Sequence, residues 1–253
     1  MTTKKITKVG GDEDSPQKST FVPTAEAKGQ ATQLRIFAAV LWVLAIGAEI
    51  GAILVLQKSA KPIVTSTWVW MIALIVIDLI LVVIGSMLWK KSNRLDPASK
   101  KDTVRFFIQN QLGVIIAVIA FLPLVILIFT NKDLDGKQKG ILGGIAIAAL
   151  IIAGLLSADF NPPSKEEYAQ QTSRIEELTG ANSVYWTKSG TKYHIYADCS
   201  HINTNRTDEI FNGTVAKARE LKNITELCKT CENKAEKTKG IKGITDQKPE
   251  AGE

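Results

Sequence analysis

The 253-residue sequence is poor in the residues that carry most enzyme chemistry, with three cysteines and two histidines. It has no P-loop, no Rossmann glycine pattern, no nucleophile elbow and no His-Glu-x-x-His motif. It also shows no internal repeat at the period of a solenoid. These absences exclude the common nucleotide-binding and metallopeptidase sites, and we expect a protein that is not an enzyme.

A cleavable signal peptide is also lacking, because no short apolar segment precedes a small-residue cleavage site in the polar N-terminal region. Residues 1–33 carry mixed charge together with Pro16 and Pro23, and we predict that they form a disordered cytoplasmic tail. The Lys-, Glu- and Gly-rich residues 234–253 are predicted to be a second disordered tail. We therefore expect the first apolar segment to act as the targeting signal and to stay in the protein.

Long apolar segments are abundant, since 45% of the residues are hydrophobic and they concentrate between residues 34 and 160. Four segments stand out, at 36–56, 68–88, 112–129 and 141–158. Each has about the ~20 residues that a helix needs to cross a bilayer. The alternative is a buried bundle in a soluble protein, but helices of that kind usually carry a polar stripe. These segments have almost none, so we predict four transmembrane helices.

Basic residues between the apolar segments predict the orientation. The N-terminal tail and the loop between the second and third segments hold twelve lysines and arginines, whereas the other two loops hold five. Cytoplasmic loops carry the excess of positive charge. We therefore predict a multi-pass cell-membrane protein whose N- and C-termini are both cytoplasmic. The same residues favour anionic lipid headgroups, so the net charge of +6 requires no nucleic-acid partner.

The residues after the apolar block predict a linker helix and a small domain. Pro162 and Pro163 end the fourth segment, and a capping-box pattern opens a helix over 164–180. Within 183–233, two β-rich runs at 184–187 and 192–196 predict a hairpin. A third short strand is predicted around Ile210, and a helix is predicted from Val215 onward.

All three cysteines and both histidines of the chain fall inside this small domain. His194 precedes Cys199 by five positions, His201 lies nearby, and Cys228 and Cys231 form a Cys-x-x-Cys pair. Short Cys/His pairs separated by a few tens of residues are typical of a structural zinc site. A domain this short cannot build a large core, so a metal would help to hold it. The alternative is a chance cluster of free thiols.

The domain resembles the zinc-binding module of the Ada DNA-repair family and its stand-alone bacterial relatives. The residues that carry the resemblance are, in order, Tyr193-His194, Cys199, Gly213-Thr214, Ala216, Ala218 and Cys228-Lys229-Thr230-Cys231. The resemblance implies that His194, Cys199, Cys228 and Cys231 bind one Zn²⁺. It also implies a bacterial inner-membrane protein. Ada-type methyl transfer is not implied, because no alkyltransferase domain is present.

His201 is the rival for the fourth ligand position, although a Cys199-x-His201 pair would place two ligands in one tight turn. A site with three cysteines and one histidine has all four positions filled by protein, which leaves none for a catalytic water. We therefore predict a structural rather than a catalytic zinc ion.

Glu49 and Asp78 are the only acids deep inside the apolar segments. Carboxyl groups in the membrane are costly and are functional candidates. If the first two helices are antiparallel, these two acids lie within about one turn of each other in depth. One interpretation is a pair that handles protons or cations in a small transporter. The other is a protonated pair that forms hydrogen bonds between helices.

Small-residue stripes occur in the first and fourth segments, as Gly47-x-x-x-Gly51 and Gly140-x-x-x-Gly144. Such stripes let transmembrane helices approach closely. They predict either a tight bundle or a homo-oligomer.

The predicted fold class is an all-α transmembrane four-helix block followed by a small α+β zinc-stapled cytoplasmic domain. The favoured function is docking or sensing, in which the zinc module binds a protein partner at the lipid bilayer. One alternative is an ion- or proton-coupled transporter using Glu49 and Asp78. The other is a membrane-tethered nucleic-acid-binding module that would use basic residues of the zinc domain: Lys188, Lys192, Arg206, Lys217, Arg219, Lys222 and Lys229. Interleaved acids weaken that last alternative.

The predicted topology can be tested by labelling engineered cysteines in intact cells with a membrane-impermeant maleimide. Cysteines that replace Ser59 or Gln138 should be labelled from outside, because both fall in loops with few basic residues. A cysteine that replaces Ser189 should be labelled only after the membrane is permeabilised. External labelling at Ser189 would contradict the cytoplasmic assignment, and the unmodified protein is the control for the native thiols.

Overall fold

The computed structural model describes residues 5–9, 21–58, 67–222 and 224–240. The chain divides into two compact units. The first, called the helical unit, is Ala25–Ser164, and the second, called the mixed unit, combines Met1–Thr24 with Lys165–Glu253. Segments from both ends of the sequence therefore belong to the same unit.

Among its described residues, the helical unit contains four long helices: α1 (Ala25–Leu56), α2 (Thr67–Leu95), α3 (Thr103–Thr130) and α4 (Gly136–Ser157). Each is long and apolar enough to cross a membrane, so the prediction of four apolar helices is confirmed. The helices extend beyond the apolar segments, most of all at the start of α1, which begins at Ala25. Residues with high helix propensity, such as Glu26, Ala27 and Lys28, continue the helix there.

Side-chain caps determine where two of these helices begin. The Asp102 carboxylate accepts a hydrogen bond from the Arg105 backbone N–H at 3.1 Å ahead of α3. Asp135 and Gln138 form a capping box at α4, in which each side chain accepts a hydrogen bond from the other residue's backbone N–H. These contacts satisfy N–H groups that have no partner within the helix.

Polar contacts tie the helices together at the end of the unit where α1 begins and α2 ends. Arg35 Nη1 lies 2.9 Å from Asp96 Oδ2, and Arg35 Nη2 donates to the Asp96 carbonyl. Lys90 Nζ donates to the carbonyl oxygens of Leu156 and Ala158 at 2.7 and 3.2 Å, which satisfies groups at the end of α4. This end is the one that the basic residues predict to be cytoplasmic.

The closest helix packing uses glycines outside the predicted stripes. A Cβ atom on Gly113 of α3 would lie 2.7 Å from Ser86 Oγ and 3.2 Å from Ser157 Cβ, so three helices meet there. A Cβ atom on Gly144 would have no neighbour within 4 Å, and the same holds for Gly47 and Gly140. The stripes therefore do not mediate close packing within the chain, and their role in a homo-oligomer stays a prediction.

In the part of the mixed unit that the structure describes, three helices combine with five short strands. The helices are α5 (Lys165–Thr179), α6 (Val215–Lys222) and α7 (Lys229–Lys239). The strands are β1 (Lys5–Lys8), β2 (Val184–Thr187), β3 (Lys192–Tyr193), β4 (Glu209–Gly213) and β5 (Glu226–Leu227). One sheet has the order β1-β4-β2 and the other pairs β3 with β5.

The core of the mixed unit follows the alternation of its strands. Val184 and Trp186 of β2 are buried and lie on the same face. Ile175 and Leu178 of α5 pack into the same cluster, together with Ile210 of β4. The predicted hairpin is reduced to one antiparallel bridge between Tyr185 and His194, since β3 pairs with β5 instead.

The prediction of a disordered tail over residues 1–33 is wrong for the described part of that region. Lys5–Lys8 form β1, which pairs in parallel with β4, and Val9 N–H donates to the Asn212 carbonyl at 2.8 Å. Phe21 is buried against the edge of the Tyr168 ring, and α1 begins at Ala25. The polar composition of the tail does not reveal that β4 offers it an open edge of N–H and C=O groups.

The predicted tail over 234–253 also differs from the structure, because α7 continues to Lys239. Gly240 then caps this helix in the left-handed conformation, with φ of 67°, which favours glycine. Residues 241–253 lie outside the described residues. The linker helix predicted over 164–180 corresponds to α5, whose Tyr168, Ile175 and Leu178 are all buried.

The three-helix junction at Gly113 makes a stability prediction. Gly113→Ala should destabilise the helical unit by about 1–3 kcal/mol, because its methyl group would overlap Ser86 and force helices apart. Gly144→Ala is the matched control and should be neutral or stabilising, since the site is open and alanine favours the helix. Thermal unfolding of both variants in detergent measures the difference. Equal stability of the two would contradict the observed packing.

Candidate metal centre

The four predicted ligands come from two segments of the mixed unit. His194 directly follows β3, and Cys199 lies in the turn after it. Cys228 is the N-cap residue of α7, and Cys231 lies in the first turn of that helix. Each segment therefore supplies two ligand atoms, as the spacing predicts.

The ligand atoms converge on one point. One ligand atom from each of the four residues lies within 4.8 Å of all the others, and all four residues are buried. The distance between Cys231 Sγ and His194 Nδ1 is 3.7 Å. A tetrahedral zinc ion with ordinary bond lengths holds its ligand atoms about 3.3–3.8 Å apart. Shifts of roughly an ångström or less would therefore complete the coordination, so this cluster could hold a metal ion.

Backbone hydrogen bonds fix the two segments relative to each other. The Cys228 N–H donates to the Tyr193 carbonyl at 2.9 Å, which ties the start of α7 to the residue before His194. The Cys199 carbonyl accepts from the N–H groups of Ile202 and Asn203 at 3.0 and 2.8 Å. The cysteine positions thus depend on the backbone as well as on any bound ion.

The protonation of the cluster suits metal binding in part. Burial, with help from neighbouring His201, lowers the pKa of His194 to about 4, so its imidazole is neutral at pH 7 and able to bind a metal. Burial raises the pKa of the Cys231 thiol to about 12. Burial also opposes ionisation of Cys228. Hydrogen bonds from the backbone N–H groups of Cys231 and Thr230 and from the Cys199 and Cys231 side chains outweigh it and leave the pKa of Cys228 below its ordinary value. A bound cation would stabilise the remaining thiolates.

His201 lies beside the cluster but does not belong to it. Its side chain is exposed, its Nε2 lies 3.1 Å from Thr230 Oγ1, and its ring centroid lies 6.5 Å from that of His194. Between the two candidates for the fourth position, the structure thus brings His194 to the three cysteines. All three cysteines are free thiols, so no disulfide competes for them.

Two arginines hold the helices of the mixed unit together, and their structural role was not predicted from the sequence. Arg174 of α5 contacts Glu232 and Glu236 of α7, the helix that carries two ligands. Arg219 of α6 is buried, donates to the Tyr168 carbonyl at 3.0 Å, and lies over the Tyr168 and Phe21 rings. Nothing in the linear sequence distinguishes these arginines from the exposed ones.

Glu49 and Asp78, the other predicted functional residues, lie in the core of the helical unit. Glu49 is 4% exposed and Asp78 is 2% exposed. One carboxyl oxygen of each, Glu49 Oε1 and Asp78 Oδ1, has no hydrogen-bond partner. The structure therefore confirms their burial and leaves part of their hydrogen-bonding capacity unused.

Comparison of the chain with models of known protein families, with curated proteins and with solved structures finds no match.

Substitution of the two histidines should separate their roles. The purified full-length protein should contain about one zinc ion per chain by elemental analysis. His194→Ala should lose this metal because it removes one of four ligand atoms, whereas His201→Ala should retain it. The reverse pattern would assign the fourth position to His201.

Loss of a cysteine ligand should also unfold the mixed unit. Structural zinc contributes roughly 10–16 kcal/mol in finger-like domains, so Cys228→Ser should expose residues 165–240 to limited proteolysis. The four helices of the helical unit should stay protected in the same sample. Full protease resistance of Cys228→Ser would show that the fold does not depend on the metal.

Proposed function

We propose that this protein is an integral membrane protein that presents a structural zinc module on the cytoplasmic side for docking of, or sensing through, a protein partner. The observation that carries the proposal is the buried set of His194, Cys199, Cys228 and Cys231 in a chain with four apolar helices. Since all four positions of a tetrahedral ion would be filled by protein, the ion holds the fold rather than activating water.

Zinc is the metal that this ligand set favours. Thiolate and imidazole ligands in a tetrahedral arrangement select zinc over calcium and magnesium, which prefer oxygen ligands. The resemblance of residues 193–231 to the Ada-type module supports the same metal. It also supports a bacterial inner-membrane location.

Contacts within the mixed unit support an even number of membrane crossings. β1 and Phe21 precede α1, whereas their partners β4 and Tyr168 follow α4. Segments that touch each other must lie on the same side of a membrane. Four spanning helices satisfy this requirement, and the distribution of basic residues places both ends in the cytoplasm. A reducing compartment keeps the cysteines available for metal binding.

Two cavities beside the Cys-x-x-Cys pair favour partner docking. One, of about 580 Å³, is bordered by Arg174, Tyr193, Thr225 and Glu232. The other, of about 410 Å³, is bordered by Ser189, His201 and Thr230. Lys192 and Lys229 line both. The zinc site thus lies next to concave polar surfaces that an acidic or polar peptide could enter.

The nucleic-acid alternative finds less support. Arg219 is buried and unable to reach a phosphate group. Lys192 pairs with Glu226 at 3.0 Å and Lys217 pairs with Glu220 at 3.1 Å. Three of the seven basic residues on which that alternative depends are therefore buried or neutralised, which leaves no continuous basic face among them.

Site-specific photo-crosslinking in living cells tests the docking proposal. A photoreactive residue at Ser189 or Thr225, each at a different cavity, should capture the same protein partner. The same residue at exposed Lys237, on the far part of α7, is the control and should capture none or much less. Adding Cys228→Ser should abolish capture, because the cavities depend on the folded module. Absence of any protein adduct at both cavity positions would contradict docking.

A further inference from the structure

Glu49 of α1 and Asp78 of α2 lie together in an apolar environment. On one side of the pair, Gly51 of α1 lies against Leu74 of α2, and on the other side Trp42 lies against Gly85. This antiparallel register places Glu49 opposite Asp78. The core around them consists of apolar side chains, with Ala45 and Ala52 on α1, Leu74 and Ile75 on α2, Phe121 and Leu124 on α3, and Leu142 and Ala146 on α4. Uncompensated charge in such surroundings is costly, so the pair requires a bound positive charge.

The charged groups of the described residues that could supply this charge lie elsewhere. Lys58 pairs with Asp133 at one end of the helical unit, at 2.9 Å. Arg35 pairs with Asp96 at the other end, where Lys90 is engaged with carbonyl groups of α4. Glu49 Oε1 and Asp78 Oδ1 have no hydrogen-bond partner, so the positive charge that the pair requires must come from a mobile cation.

A proline lies inside α3 next to a residue that contacts Glu49. Pro123 lies inside α3, so the carbonyl of Ile119 loses its helical hydrogen-bond donor. The backbone N–H of Leu124, the next residue, interacts with the Glu49 carboxyl group. A carbonyl group freed in this way inside a membrane needs another hydrogen-bond partner.

A cavity extends from one end of the helical unit toward the pair. It has a volume of about 380 Å³, with a polar rim that includes Lys58, Asn131 and Asp133. Its apolar part reaches Val55 and Met71. At 1.5 Å per residue these lie about 9 and 10 Å along their helices from Glu49 and Asp78. A short apolar layer thus separates the cavity from the acids, which favours a proton over a hydrated metal ion.

We propose that Glu49 and Asp78 form a proton-binding site inside the membrane, which exchanges with water through this cavity. In the protonated state one carboxyl O–H donates to the other carboxyl group. Release breaks one O–H bond and passes the proton to a water molecule that crosses the apolar layer from the cavity, and the electron pair stays on a carboxylate oxygen. The remaining carboxyl O–H then stabilises the single negative charge.

Dicyclohexylcarbodiimide provides a direct probe, because this apolar reagent modifies protonated carboxyl groups in membranes. In the full-length protein in liposomes, mass spectrometry should find the adduct on Glu49 or Asp78, and the yield should fall as the pH rises. Glu49→Gln combined with Asp78→Asn should reduce the total adduct at least tenfold. Asp159→Asn is the matched control, since Asp159 is a buried acid of the same unit with an unpartnered oxygen outside the cavity.

The outcomes separate the proposal from its rivals. No adduct at any pH, or a yield independent of pH, would overturn the proton site. Protection by sodium or potassium ions at constant pH would also overturn it, in favour of a metal-cation site. The double variant could lose the adduct simply because it misfolds. The single variants Glu49→Gln and Asp78→Asn control for this, since each should lose only the adduct on the residue that it replaces.

Discussion

The convergence of four ligand atoms is the interaction on which the mixed unit depends. β3 and β5 contain two residues each, which is too little to form a stable sheet in water without further support. His194 follows one of these strands and Cys228 follows the other, so a metal ion between them would join the strands at their ends. The same ion would fix the start of α7, whose contacts with Arg174 hold α5. Binding of a metal ion at this cluster would therefore be coupled to folding of the unit.

The helical unit is stabilised in a different way, through close contact of small residues. Ala38, Ala45 and Ala52 of α1 recur every seven residues on its buried face, and Gly113 admits Ser86 and Ser157 to a three-helix junction. In lipid, such close packing takes the place of the hydrophobic driving force that operates in water. The buried acids Glu49 and Asp78 interrupt this pattern, and no packing requirement explains them. Residues that break the packing pattern of their surroundings in this way are expected at functional positions.

The sequence was sufficient for features that depend on composition and clustering. Four apolar helices follow from segment length, and the ligand cluster follows from the gathering of His194 with every cysteine in the chain. Features that depend on distant partners were missed. β1 forms because β4 offers an edge, and Phe21 is buried because Arg219 and Tyr168 form its pocket. The glycine stripes show the limit of local patterns, since Gly144 faces no neighbour in the chain whereas Gly113, outside any stripe, lies at a junction.

The parallel pairing of β1 with β4 has a consequence for biosynthesis. Thr7 and Glu209, which share a side-chain hydrogen bond across the two strands, are separated by 202 positions in the chain. The first strand therefore leaves the ribosome long before its partner exists, and all four helices are synthesised in between. Contacts between such distant segments form slowly because a long loop must close first. The three-stranded sheet is consequently completed only after translation of the helical unit, which makes its closure a late step in the maturation of the protein.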